Sequence, residues 1–349
     1  MNKQYLKYGA LLFSIMVMLT MLFDIGYKQE TPVLHYLNYS YFVCLLAIIV
    51  FIPIKYIVDF KSFQKPRIWI IELVLWAAYN YLLVTIPFSE LSSGAANYKI
   101  WLFIAFSTSL IRELAGLRLN WRYKHANPAA IFIFSFALLV AAGTILLMLP
   151  RATHASISFI DALFTSTSAV CVTGLIVVDT GSCFTIFGQS IIMVLIQLGG
   201  IGIMTFTSFF AYFFMGGSSY QNLILLGTIT SENKIAEVMG TLKKILFFTF
   251  LVEIIGFVII YFNVNSQNCL NHGGALFFSA FHAVSAFCNA GFSTLSDSFY
   301  DINFRFNYFL HVTVSLLFIV GGLGFPVIIN LYTWLKHWFI NRLLRLNKR

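Results

Sequence analysis

Apolar runs separated by short polar or basic stretches recur along the whole chain, near residues 5–23, 40–58, 68–88 and 98–114, then at 128–150, 185–214, 242–264 and 306–339. A helix rises 1.5 Å per residue, so about 20 apolar residues cross the hydrocarbon of a bilayer. The pattern predicts eight membrane-crossing helices, with tilt absorbing the excess of the longest. Two further apolar stretches, 157–175 and 274–292, fit less well. Each has only about 14 residues of helical pattern ahead of a glycine, short for a crossing and suited to a half-helix that dips into the membrane and returns as an extended strand. Non-helical backbone survives at that depth only where it lines a watery cavity.

Composition agrees. At 59% hydrophobic and 10% charged residues the chain is too apolar for a soluble globule. The net charge of +9 does not form a nucleic-acid-binding face, because the basic residues lie between the spans. With the N-terminus inside, Lys55, Lys61, Lys65, Arg67, Arg112, Arg118, Arg122, Lys124, Lys234, Lys243, Lys244, Lys336, Arg342, Arg345, Lys348 and Arg349 fall on the cytoplasmic side, leaving Lys28, Lys99, Arg151 and Arg305 outside. That is the positive-inside asymmetry of an eight-span protein with both termini cytoplasmic. The basic, apolar start has no small-residue cleavage site and reads as a retained signal anchor. Cys44, Cys171, Cys183, Cys269 and Cys288 include no two-residue pair and no accompanying histidine cluster, so free thiols are expected and a Cys183–Cys269 disulfide is disfavoured. No enzyme signature of the H-E-x-x-H, G-x-S-x-G or P-loop kind occurs.

The two dipping stretches are copies of one another. Aligning Gly174 with Gly291 pairs Phe164 with Phe281, Ser168 with Ser285, Ala169 with Ala286 and Cys171 with Cys288, and one inserted residue then pairs Asp179 with Asp297. Downstream, LGGIG at 198–202 matches VGGLG at 320–324. The repeated unit is span, re-entrant loop, span. A loop that turns at glycine deep in a membrane exposes carbonyl oxygens that can replace the water around a cation, which is the principle of a selectivity filter. Glycine reaches positive φ at little steric cost, which favours Gly174 and Gly291 as the turning points. Each half-helix directs its partly negative C-terminal end toward the membrane centre, while Asp161 at the positive end of the first suits the dipole and is a capping candidate. Asp179 and Asp297 are either cation-concentrating groups at the outer mouth or solvated loop residues.

In this combination and order, LLMLPRATHASISFIDALFTSTSAVCVTGLIVVDT, FGQSIIMVLIQLGGIGIMTF and SAFCNAGFSTLSDS resemble the Trk/Ktr/HKT potassium transporter superfamily, specifically its TrkH-type membrane subunit, from about residue 127 onward. The resemblance implies an all-α polytopic fold of span, re-entrant pore loop and span repeats of the potassium-channel type. Residues 1–126 would be four accessory N-terminal helices, 127–240 the first repeat and 241–349 the second. It implies potassium uptake across the plasma membrane, with K+ held by backbone carbonyls carried onto Val172, Thr173, Gly174 and Leu175, and onto Asn289, Ala290, Gly291 and Phe292. Family members with serine at the first glycine favour sodium, so Gly174 points to potassium. It also implies a homodimer on a cytosolic nucleotide-binding regulatory ring, although lipid headgroups explain the basic inner loops equally well. The family has four repeats where this chain has two. The chain is accordingly expected to be the front half of a longer protein, with a non-conducting half-pore scaffold completed by another chain, or a sodium-permeable family member, as the alternatives.

Other residues invite sharper readings that weigh less. A voltage sensor needs arginines at every third position, whereas 98–114 offers only Arg112 beside Glu113, an inner-interface pair. Glu253 in mid-span is read as a polar contact to a neighbouring helix or subunit ahead of an ion or proton site. Glu72 is expected to snorkel. The glycine pairs Gly199, Gly200 and Gly321, Gly322 either bend or permit close packing, the latter being preferred. His282 is taken as a hydrogen-bonded packing residue because the first repeat has Thr165 there, and the phenylalanines of 247–250 as lipid-facing.

Overall fold

A computed structural model describes residues 3–28, 31–58, 66–85, 96–115, 128–215, 231–264 and 273–324, with 327, 334 and 338. The described residues fold as helices joined by irregular loops, in two compact units, Met1–Lys124 and His125–Arg349. Cys269 and most inner-loop cations, among them Lys61, Lys65, Arg118, Arg122, Lys124 and the basic residues of 342–349, lie outside the described residues.

The N-terminal unit consists of α1 (Lys3–Gly26), α2 (Thr31–Val58), α3 (Pro66–Thr85) and α4 (Ala96–Ala115). α1 packs against α2 and α4, and α3 against α2. Val17, Met21, Tyr41, Leu45, Leu102 and Phe106 form the centre of its core. Polar side chains inside an apolar bundle need partners, and this unit supplies them. Tyr79 Oη and Thr108 Oγ1 lie 3.0 Å apart, and Trp76 Nε1 donates to the Ile49 carbonyl at 3.0 Å. Lys99 Nζ donates to Asp24 Oδ2 at 2.6 Å, so the end of α1 and the start of α4 share one face of the bundle, as the topology requires. Arg112 grips Glu113 through Nε and Nη2 at 3.0 and 2.6 Å, a buried pair and no voltage-sensing ladder. Glu72 is buried and does not snorkel.

The C-terminal unit repeats one arrangement. Its first copy is α5 (Pro128–Leu147), α6 (Phe159–Val170), the single turn α7 (Thr180–Cys183) and α8 (Ile186–Met215). The second is α9 (Ser231–Asn263), α10 (Gly274–Phe287), a 3-10 turn at Ser298–Tyr300 and α11 (Tyr308–Gly322). In each copy the short helix packs against both long ones and these pack against each other, and α8 links the copies by touching α9 and α10. The short helices have 12 and 14 residues, about 18 and 21 Å of rise, short of a hydrocarbon core of about 30 Å.

Both loops return to the end where they began. In the first, Thr153 bridges Phe184, with backbone bonds from His154 N to Cys183 O at 2.9 Å and from Thr185 N to Ala152 O at 3.0 Å. In the second, Asn307 Nδ2 donates to Asn263 O at 3.2 Å, joining the end of α9 to the start of α11. Described helices occur at all eight predicted spans. Tyr8–Gly26, Tyr36–Ile54, Ile186–Thr205 and Leu242–Asn263 are long and apolar enough to cross a membrane, while Phe132–Leu147 and Tyr308–Gly322 are shorter apolar helices. The phenylalanines of 247–250 divide: Phe247 and Phe250 are exposed, whereas Phe248 turns inward, its ring 6.4 Å from that of Phe287. Cys44, Cys171, Cys183 and Cys288 are free thiols.

Candidate functional site

The two short helices end in the same way. After α6, Val172 N bonds Ala169 O at 3.2 Å and Thr173 N bonds Ser168 O at 2.9 Å; after α10, Asn289 N bonds Ala286 O at 3.0 Å and Ala290 N bonds Ser285 O at 2.8 Å. This pair of bonds is the Schellman closure of a helix, which requires a left-handed residue just beyond the cap. Val172 (φ 55°) and Asn289 (φ 60°) fill that position. Two residues on, Gly174 (φ 74°) and Gly291 (φ 70°) repeat the left-handed turn.

Sequence reasoning named Val172 and Asn289 among the candidate carbonyl residues but foresaw the left-handed turn only at the glycines. Asparagine tolerates the left-handed region and was a readable signal, but a β-branched residue there is an outlier, so Val172 becomes legible only by alignment with Asn289. The segments meet at the glycines: a Cβ on Gly174 would stand 2.5 Å from the Ala290 carbonyl oxygen, and one on Gly291 3.5 Å from the Gly174 Cα. The Ala290 carbonyl therefore faces the opposite segment.

The eight predicted residues are brought together as two segments, with differences between them. Among the described residues no hydrogen bond reaches the carbonyl oxygens of Val172, Thr173, Gly174, Leu175, Asn289, Ala290 or Gly291, while that of Phe292 accepts from Ser285 Oγ at 2.6 Å. In the first copy the matching Ser168 instead receives Thr173 Oγ1 at 3.2 Å. Leu175 is exposed and Phe292 buried.

The glycine pairs serve close packing. A Cβ on Gly199 would overlap the Val170 carbonyl oxygen, and one on Gly321 that of Phe287, so the last carbonyl of each short helix rests on a glycine of the following long helix. Gly200 lies against Cys288 Sγ, and only Gly322, whose Cβ would have 3.7 Å of clearance, has room to spare.

Around this core the polar residues take definite partners. Asp161 is not the cap of α6: Ser158 is, accepting from Asp161 N at 3.1 Å while its hydroxyl donates to Asp161 Oδ2 at 2.7 Å. Asp179 caps α7, and its Oδ2 accepts from Ser182 N at 2.7 Å, from Ser182 Oγ at 2.5 Å and from Ser296 Oγ of the other loop at 2.8 Å. Burial pushes this carboxyl up, but the bonds from Ser182 and Ser296 outweigh it and hold the group below the ordinary aspartate range. Through Ser296 this carboxylate is also held to the second loop. Asp297 holds the matching N-cap position ahead of the Ser298–Tyr300 turn, as the alignment of the two aspartates expects, but it is exposed and makes no side-chain capping bond.

His282 is the packing residue expected. Nδ1 lies 2.9 Å from Phe278 O, Nε2 lies 3.1 Å from Ser293 Oγ, and the Phe278 and Phe299 rings flank it at 4.1 and 5.0 Å. Glu253 makes interhelical contacts, accepting from Gln197 Nε2 on α8 at 3.1 Å and meeting Cys288 Sγ at 3.9 Å. The described residues hold no group of three or more His, Cys, Asp or Glu that could bind a metal through side chains.

Paired half-depth helices, each followed by open carbonyls and held between long apolar helices, define a multi-pass membrane protein of the re-entrant-loop class. The sequence comparisons place it more closely. Residues 95–348 match the TrkH family, described as cation transport protein, and the chain belongs to that family. The match begins earlier than the motif resemblance at 127 and takes in α4. The chain is 38% identical over 204 residues to Ktr system potassium uptake protein B of Bacillus subtilis, an alignment covering 58% of this chain and 45% of that protein. It is 37% identical over 208 residues to the Ktr system potassium uptake protein B of Vibrio alginolyticus, covering 60% and 44%. The potassium/sodium uptake protein NtpJ of Enterococcus hirae matches at 37% over 206 residues, covering 58% and 45%. The aligned region thus spans somewhat under half the length of these relatives. The description of that family is one of cation transport and not of catalysis.

Proposed function

We propose that this chain supplies two of the carbonyl-lined segments of a potassium uptake path. The supporting observation is the repeated backbone at Val172–Leu175 and Asn289–Phe292: two Schellman closures, two left-handed glycines and carbonyls left open by the protein. Such oxygens replace the hydration shell of a desolvated cation, and the C-terminal ends of α6 and α10 add a partial negative charge behind them. Phe292 already spends one lone pair on Ser285 and offers the other. An inward-negative potential drives entry with about 2.3 kcal/mol per charge per 100 mV.

The potassium uptake names of the Bacillus and Vibrio relatives support K+ as cargo. The distribution of basic residues supports a plasma-membrane orientation with both termini cytoplasmic. A homodimer resting on a cytosolic nucleotide-binding ring completes the proposal, by the family resemblance. A second reading, in which this chain is a half-pore scaffold that conducts only with further span–loop–span units, is favoured by its match to less than half of each relative. Sodium permeation takes its support from the potassium/sodium name of the Enterococcus relative.

The test is rubidium and sodium flux into liposomes holding the wild-type chain or Gly174→Ser. Serine must displace the Ala290 carbonyl at a position that already has positive φ, so the rubidium preference should fall by about tenfold or more, a cost of about 1–2 kcal/mol for the left-handed strain alone. An unchanged ratio overturns the assignment of Gly174. Flux that appears only when further units are added selects the scaffold reading.

A further inference from the structure

The proposed path makes no use of Glu253, yet this carboxyl sits in the middle of the Leu242–Asn263 span and is only 5% exposed. A carboxyl held at that depth is costly and is retained where it does something. α5, the corresponding helix of the first copy, has no ionisable residue, so its purpose belongs to the second copy alone.

Its surroundings give that purpose. Oε2 receives Gln197 Nε2 at 3.1 Å, and Gln197 directly precedes the run in which Gly199 seats the end of α6 and Gly200 lies against Cys288. Oε1 meets the Cys288 thiol at 3.9 Å, and Cys288 is the C-cap of α10, adjacent to the left-handed Asn289. One side chain therefore reaches the α8 segment that carries both short-helix ends and the corner from which the second open segment departs.

We propose that Glu253 is a positioning residue for ion discrimination, clasping Gln197 and Cys288 so that the Gly174 and Gly291 segments keep their spacing. The proposal rests on the reading of those segments as an ion path. It needs no contact between Glu253 and the ion, and it distinguishes this carboxyl from a mere packing contact, whose loss would weaken the fold without favouring either cation.

The experiment follows thermal unfolding of the purified full chain in detergent, titrated with KCl or with NaCl, for the wild type, Glu253→Gln and Glu253→Leu. Wild type should be stabilised at lower K+ than Na+ concentration. Glu253→Gln, which keeps an acceptor and the shape, should retain most of that preference, whereas Glu253→Leu should lose about threefold or more of it. If Glu253→Leu does not fold, Gln197→Leu opens the same clasp from the α8 side and should show the same loss. A leucine variant that unfolds earlier in both salts with its K+ preference intact overturns the positioning role and leaves the ion path standing. A wild type with no preference overturns the ion path, and the positioning role with it.

Discussion

In the first loop of the C-terminal unit, valine takes the left-handed position that closes the short helix; in the second, asparagine does, and the glycines two residues later agree within a few degrees. The hydrogen bonds that end the two helices also correspond one for one. The anchorage does not correspond. The first loop is tied at the end where its chain enters and leaves by the Thr153–Phe184 bridge, the Ser158 cap and the bonds to Asp179. The second is closed at that end by Asn307 to the Asn263 carbonyl. Along its depth it uses Ser285 to the Phe292 carbonyl, His282 to Ser293 and Glu253 to Cys288, where the first uses Thr173 to Ser168 and Ser166 to the Val140 carbonyl. What the copies share is backbone conformation close to the open carbonyls, and what they vary is the side chains that hold it. That division is expected if function resides in main-chain oxygens and their spacing, since many different side chains can secure one backbone.

The strongest way to break this equivalence is at the glycines beneath the short helices. Gly199→Ala and Gly321→Ala each drive a methyl into a backbone carbonyl, of Val170 and of Phe287 respectively, and a main-chain oxygen cannot rotate away as a side chain can. Each should cost about 3 kcal/mol, the upper end of the usual overpacking range. Gly322→Ala, with 3.7 Å of clearance, serves as the tolerated control. Comparable losses of unfolding midpoint at 199 and 321 support two equivalent seats; a variant tolerated at one of them shows that only one copy depends on the contact.

A smaller effect tests the left-handed position itself. Asn289→Val gives the second loop the residue of the first, and Asn289 is exposed, so no packing gain compensates. The β-branched side chain should cost about 1–2 kcal/mol, while Asn289→Gly should cost only a few tenths. Equal unfolding midpoints for the two variants would show that the backbone relaxes around valine, and that Val172 carries no strain.

The spans, the repeat and the turning glycines were legible because hydropathy and alignment register them directly. Gly199 and Gly321 were legible as close-packing sites, since small residues at equivalent places in apolar helices have few other uses. Three features were not. Val172 violates the conformational preference by which a left-handed residue is recognised. Asp179 and Asp297 do share the N-cap position after each glycine segment, but the hydrogen bond that Ser296 donates across the loops to Asp179 leaves no mark in an alignment of the copies. Phe248 lies in a run of phenylalanines that composition cannot separate into inward and outward faces.

Asp179 gives the finest test, because its bond from Ser296 ties the two loops together. Ser296→Ala removes one hydrogen bond to a partly exposed carboxylate and should lower stability by about 1 kcal/mol. Ser182 supplies bonds within the first loop, so its loss should weaken the α7 cap without separating the loops. The pH dependence has a definite sign. The folded carboxyl is held below its unfolded value of about 3.9, so its contribution is fully present at neutral pH, persists down to the ordinary aspartate range and disappears as the pH falls through the lower folded value. The difference in unfolding midpoint between wild type and Asp179→Asn should therefore stay constant from pH 7 to about pH 5 and narrow only in stronger acid. A difference that already shrinks between pH 7 and 5 would mean that Asp179 titrates as an ordinary or raised carboxyl, and that Ser296 does not hold the second loop to the first.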